Sequence, residues 1–167
     1  MGRELIAQSL TKERFAAYGQ VIEKEGSESF LINNGNCRRH HALAKAEVAG
    51  PDCGVGISIF AGQPYELPLQ LSLVERHPLG SQAFYPLGDK PWLVIVCDDE
   101  NGSPVSPQVF LASADQGISL NRGVWHGVLT PLHEACDFLV VDRIGEGNNL
   151  EEYIFERPFQ VDLAASA

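Results

Sequence analysis

The sequence predicts an all-β sandwich or barrel, and three observations carry that prediction. Roughly ten short β-rich stretches are bounded by Gly, Pro, Asn or Asp, with turn signals about every 8 to 12 residues. The 16 glycines and 10 prolines are spread along the whole chain instead of pooling in a linker, and no segment repeats another. Helical patterns do not alternate with the strands, as a βαβ sheet would require. One domain over 1–167 is the simplest organisation.

Taken in order, the one good helix signal spans 11–19. Thr11 is placed to cap it, Glu13 falls in the first turn and Gly19 stops it after about two turns. Strands are predicted over 20–23, 29–33, 54–60, 69–77, 82–87, 92–98, 108–112, 117–121, 124–130, 137–143 and 153–156. The acidic, glycine-containing stretch 145–152 reads as a surface connection and 164–167 as a frayed end, neither with assigned chemistry.

Composition narrows the function. Hydrophobic residues make up 44% and charged residues 20%, enough for a real core without disulfides. The formal charge of -10 opposes the phosphate neutralisation that nucleic-acid binding needs, so no nucleic-acid partner is expected. The longest strongly apolar run, 92–97, is far short of the roughly 20 residues that cross a bilayer, so no membrane association is expected. The amino terminus, 1–8, has a polar residue every few positions and lacks the apolar region of a secretory signal, so the expected location is cytoplasmic. Cys37, Cys53, Cys97 and Cys136 form no C-x-x-C pair and are expected as reduced, mostly buried thiols.

Two segments place polar groups in apolar rows. Side chains alternate across a strand, so Leu69, Leu71, Leu73, Glu75 and His77 share one face, while Gln70, Ser72, Val74 and Arg76 share the other. The leucine face is expected to be interior, so Glu75 and His77 extend an apolar row into a barrel mouth, where a carboxylate needs a partner, ligand or metal. In the second segment, a turn at Gly123 leads into a strand on which Val124, His126 and Val128 share a face. Trp92 and Trp125 are expected to fill core or interface, and His133 a surface turn.

These residues carry a family resemblance. Asn121-x-Gly123-x-x-His126 resembles the second motif of cupin barrels, with Asn in the Pro position, and Glu75-x-His77-x4-Gln82 resembles the first. The match implies a cupin-like jelly-roll barrel whose metal-ligand positions would be Glu75, His77, Gln82 and His126. Two of the usual ligands are replaced, so a bound metal is optional. Over nearly the whole chain, Ile32-Asn33-Asn34-Gly35, Arg39-x-His41, Glu75-Arg76-His77-Pro78-Leu79-Gly80-x-Gln82-Ala83-Phe84-x-Pro86, Val124-Trp125-His126 and Asp137-Phe138-Leu139-x-x-Asp142-Arg143 resemble the ureidoglycolate lyases in order and spacing. That resemblance implies a carbon-nitrogen lyase of allantoin and purine breakdown, cleaving ureidoglycolate to glyoxylate and urea. It also implies a homodimer, with no required cofactor but a divalent ion such as nickel as a stimulant. The chain departs from the family where many members carry Trp-His-His-Pro and an earlier tyrosine: here stand Gly127-Val128 and Leu120. No role for that second histidine or tyrosine transfers to this chain.

The reaction needs a base for the substrate hydroxyl and an acid for the leaving urea nitrogen. His77 or His126 is the expected base, with Glu75 orienting or sharing a proton and the other histidine serving as acid. The substrate is an anion, so an arginine is expected to hold its carboxylate. Arg39 and Arg143 are the candidates, the first from a loop over the mouth, the second from the Leu139 and Val141 face of its strand if that face is interior. Arg76 alternates away from Glu75, and Arg122 is the fourth arginine considered. The amides of Asn33, Asn34 and Gln82 are candidates to read the ureido group. Two other classes compete: a cupin metal oxygenase or isomerase using the same four positions, and a non-enzymatic sensor of small carboxylates.

Overall fold

The computed structural model describes residues 3–165, so Met1, Gly2 and the last two residues of the expected frayed end lie outside the described residues. Two sheets face each other and form the expected all-β barrel. The larger runs in the order Glu4–Ile6, Glu151–Asp162, Leu69–Arg76, Trp125–His126, Trp92–Glu100, Ser103–Ala112, Gln8–Ser9, with Thr130–Pro131 pairing off Trp92–Glu100. The smaller runs Gly19–Ile22, Gly117–Leu120, Gln82–Pro86, Cys136–Gly145, Cys53–Gly62. Pairing is antiparallel except where the two short amino-terminal strands join parallel to Glu151–Asp162 and Ser103–Ala112.

The continuous apolar run 92–97 belongs to a strand covered on both faces. Trp92, Val94 and Val96 enter the core between the sheets with Phe84, Phe110, Phe138 and Val140. Leu93, Ile95 and Cys97 enter a second core on the other side, with Leu71, Val74, Trp125 and Phe155. Alternate side chains go to opposite faces, so a strand wet on neither side is apolar throughout. Each such large side chain contributes about 1.5–3 kcal/mol of burial.

Several local expectations are corrected. The helix is a single turn, Lys12–Phe15, capped by Thr11 Oγ1 accepting from the Arg14 amide; Phe15 is drawn into the first core while Ala16 to Tyr18 turn into the next strand. The predicted strand over 124–130 is broken into Trp125–His126 and Thr130–Pro131, and Val128 is exposed. The leucine row does not run unbroken to Glu75. Leu71 and Val74 both belong to the second core although three residues apart, in a stretch where pairing with the partner strand is irregular, between Ile154 and Phe159. Of the cysteines, Cys97 and Cys136 are buried but Cys53 is only half-buried and Cys37 is exposed. The stretch 145–152 is no plain connection either: Glu151 and Glu152 start a twelve-residue strand.

Residues 29–40 form a separate hairpin. Ser29–Ile32 and Cys37–His40 pair only with each other, joined by a turn in which Asn33 and Asn34 both have φ of 55°. Asparagine tolerates that left-handed backbone better than most residues, which accounts for two asparagines at the bend.

Candidate active site

His126 lies on a two-residue strand wedged between two longer ones, directly opposite Glu75 on one side and Val96 on the other. Opposed residues share a face, and Val96 points into the core between the sheets. His126 and Glu75 therefore point inward too. His77 follows one alternation after Glu75, and its ring centroid is 5.2 Å from that of His126. Its Nε2 is 3.8 Å from Glu75 Oε1. One ligand-capable atom from each of Glu75, His77 and His126 lies within 4.8 Å of the other two.

Backbone carbonyls fix both imidazoles. His77 Nδ1 donates to the Asn149 carbonyl at 2.8 Å, and His126 Nδ1 to the Gly127 carbonyl at 2.9 Å. Each neutral ring therefore carries its lone pair on Nε2, as in rings presented to a proton or a metal. Both Nε2 atoms are buried without a hydrogen-bond partner among the described residues, and so is Gln82 Oε1. Gln82 owes that orientation to its opposite neighbour, Asp142, whose Oδ2 accepts from Gln82 Nε2 at 3.1 Å. A carboxylate can only accept, so the amide must turn its NH2 to Asp142 and its oxygen away. Buried polar atoms are rarely left unpaired, and three around one site point to a ligand.

Burial sets the charge of these groups. It pushes the His126 imidazolium down to about 4, with the Gly127 carbonyl opposing and His77 adding to the effect. Burial also raises the Glu75 carboxyl above its ordinary value, against a lowering by His77 and with a further rise from Glu152.

Glu75, Gln82 and His126 line a cavity of about 710 Å³, with Phe60, Tyr65 and Leu129 among its apolar walls. The remaining candidates are not gathered there. Arg143 lies on the opposite face of its strand from Asp142: the inward row is Phe138 and Val140, whereas Leu139 is exposed. Its row is thus exterior, correcting the expectation for the Leu139 and Val141 face. Arg143 is nevertheless buried, its guanidinium donating to the Ala49 and Glu146 carbonyls. Arg39, Asn33 and Asn34 are exposed on the 29–40 hairpin, and none of them lines the cavity. Arg76, as its alternation requires, faces away from the site, stacking 4.4 Å over Trp125 and pairing with Asp99 and Glu151.

Sequence reasoning missed Asn149, Asp142 as a brace, and the wall from Phe60 to Tyr65. Asn149 lies 72 residues from His77 and Asp142 lies 60 from Gln82. The one available signal was that Asp142 falls on the Phe138 and Val140 side of its strand.

The architecture and site define a β-barrel with an internal imidazole and carboxylate cluster built for a small polar ligand. Comparison with known proteins narrows the class. The ureidoglycolate lyase family profile matches residues 2–162. A ureidoglycolate lyase of Chelativorans sp. is 56% identical over 161 residues, 96% of this chain and 98% of that protein. One of Mesorhizobium japonicum is 50% identical over 159 residues, covering 95% and 98%. "Ureidoglycolate lyase 2" of Rhizobium meliloti is 49% identical over 155 residues, covering 93% and 95%. The chain belongs to the ureidoglycolate lyase family.

Proposed function

We propose that this protein cleaves the carbon-nitrogen bond of ureidoglycolate, releasing glyoxylate and urea in allantoin and purine breakdown, as a cytoplasmic homodimer on a cupin-like barrel. The observation that carries the reading is the convergence of two unpaired Nε2 atoms and a carboxylate beside a cavity that Glu75 and His126 line, though His77 itself is not among its lining residues, in a chain matched to this lyase family over 2–162.

His126 is uncharged at neutral pH because burial lowers its proton affinity, so its Nε2 lone pair takes the substrate hydroxyl proton. The carbon-oxygen bond becomes the aldehyde carbonyl, the carbon-nitrogen bond breaks, and its electron pair leaves on the ureido nitrogen. That nitrogen takes a proton from the protonated Nε2 of His77, which lies 3.8 Å from Glu75 Oε1. Gln82, held by Asp142, presents an acceptor oxygen to a ureido N–H. Arg39, Asn33 and Asn34 are the remaining substrate-binding candidates.

The same donors fit a divalent transition ion such as nickel. The unpaired Nε2 atoms of His77 and His126, with Glu75, would hold it, and Gln82 Oε1 would be a weak fourth donor. When bound, such an ion supplies Lewis-acid lowering of the hydroxyl pKa.

The test follows urea and glyoxylate release from ureidoglycolate by the purified protein. His77→Ala and His126→Ala are each expected to lower kcat/KM at least about 10²-fold with an unchanged circular dichroism spectrum. Near-wild-type rates in both variants would remove the mechanism. Metal analysis and activity after chelation separate the ion-assisted form, which requires stoichiometric metal, from the proton-transfer form, which survives its removal.

A further inference from the structure

The anionic substrate raises a problem that a single copy of the chain leaves open. Among the described residues, no lysine or arginine lines the cavity, whose polar lining includes Glu75, Gln63, Gln82 and His126. A protein of net charge -10 gives an anion no help from its overall field. The nearby arginines are engaged: Arg76 with Asp99 and Glu151, Arg122 with the Pro78 carbonyl, Arg143 with those of Ala49 and Glu146. Arg39 is not. Its side chain makes no hydrogen bond or ion pair among the described residues, and its guanidinium lies 5.9 Å from the Phe30 ring.

Among the described residues, the element that carries Arg39 has no strand partner on the barrel. The 29–40 hairpin pairs only with itself and leaves Phe30 40% and Leu31 56% exposed. A two-stranded hairpin is at best marginally stable on its own in water. Elsewhere the chain exposes an apolar surface of matching kind. On the outer face of the smaller sheet, Val55, Ile57 and Ile59 are 48%, 74% and 56% exposed, and Leu139 lies directly opposite Ile59. Their strand, Cys53–Gly62, is the sheet's edge, with no further strand paired to it among the described residues. A long, exposed, apolar edge marks an interaction site. Its last residues, Phe60, Ala61 and Gly62, are also a wall of the cavity, so an arm laid over this edge arrives at the mouth.

We propose that a second copy of this chain is the occupant, and that its hairpin supplies Arg39 in trans to the carboxylate of the substrate bound in the first. The inference rests on the reading of the cavity as a ureidoglycolate site. One sequence carries both halves of the contact, and their charges match: the hairpin brings Arg38 and Arg39, while the site holds Glu75 with Glu152 opposite it in register. A two-fold pair makes the exchange reciprocal and completes both sites.

The experiment co-expresses Arg39→Ala and His126→Ala chains with different tags and isolates the mixed dimer. With trans supply, one of its two sites has both residues. At substrate well below KM it should then show about half the wild-type kcat/KM, while each parent homodimer is at least about tenfold down. If Arg39 acts within its own chain, neither site is complete and the mixed dimer does no better than the mean of its parents, which overturns the proposal. So does a wild-type kcat/KM in the Arg39→Ala homodimer, or a monomeric wild-type protein by sedimentation. Ile57→Asp should yield a folded monomer with the activity of Arg39→Ala; a fully active monomer also overturns the proposal. A wild-type dimer releasing neither urea nor glyoxylate would instead sink the reaction itself, and sedimentation of Ile57→Asp would still test the exchange of arms.

Discussion

The cavity and the 29–40 hairpin treat their polar side chains in opposite ways. At the site both imidazoles and the Gln82 amide have a second contact that aims them: Asn149 for His77, Gly127 for His126 and Asp142 for Gln82. On the hairpin, Asn33, Asn34 and Arg39 are exposed, and only the turn geometry is specified. The difference follows from what each region has to do. Proton transfer demands near-attack geometry, and an error of about 1 Å can cost about 10²-fold; the proposed proton-transfer groups have fixed rings, His126 on a paired strand and His77 just past the end of one. A charge attracts over several ångströms, so its carrier can wait on an element that packs only when a partner arrives.

The comparison can be broken most forcefully through pH. The His126 ring is held down to about 4 in the folded state and relaxes toward 6.5 when unfolded. Between those values the unfolded chain binds more protons, so stability falls as pH drops from 6.5 toward 4. The full effect is about 3 kcal/mol, at about 1.36 kcal/mol per pH unit. Glu75 acts with the opposite sign: its raised value makes the folded state bind more protons just above the ordinary carboxylate range, offsetting part of that loss. Urea unfolding at several pH values should therefore show a slope that His126→Gln largely removes. A slope unchanged in the variant would mean that the ring is not charge-suppressed by its surroundings.

The next largest effect probes the outer face. A Cβ at Gly80 would fall 2.5 Å from Arg143 Cβ, so Gly80→Ala should cost about 1–3 kcal/mol by overpacking. The kcat/KM of the folded fraction should stay unchanged, since Arg143 clamps backbone carbonyls on the face away from the cavity. A stable variant with altered KM would instead tie Arg143 to substrate.

The braces come next. Asp142→Ala frees the Gln82 amide to turn, and Asn149→Ala removes the side-chain oxygen that accepts from the Leu79 amide at 2.8 Å beside His77. Each is expected to lower kcat/KM about tenfold, within the range for groups that orient reactive side chains. The Asp142 effect should fall mainly on KM and the Asn149 effect on kcat, with no loss of fold. The smallest expected effect lies on the arm. Phe30→Ser should change the stability of the subunit by less than about 0.5 kcal/mol, because the ring is 40% exposed. A larger loss in denaturant titration of the monomeric Ile57→Asp background would show that the hairpin packs on its own barrel.

The alternation rule brought Glu75, His77 and His126 to notice from sequence alone, because a carboxylate and two imidazoles at the ends of apolar rows are unusual whatever the fold. It reached Glu75 by an argument that was only partly right. Leu71 and Val74, three residues apart, both belong to the second core, and pairing with the partner strand is irregular opposite them, at Ile154 to Phe159. A single strand's sequence carries no sign of that. Arg143 shows the complementary error. Its row was a candidate interior face, but the buried side of that strand is the even-numbered one, and Arg143 is covered by Ala49 and Glu146 from loops elsewhere in the chain.

By itself the sequence determined the all-β class, the apolar strand at the centre of both cores, and the residue types able to move protons. Each depends on a local period or on the chemistry of single side chains. Only the tertiary structure decided which face each strand turns inward, which carbonyls fix the two imidazoles, and that among the described residues no lysine or arginine lines the cavity. Those facts depend on cross-strand register between residues 60 to 72 positions apart, and register is set by how whole sheets close on one another.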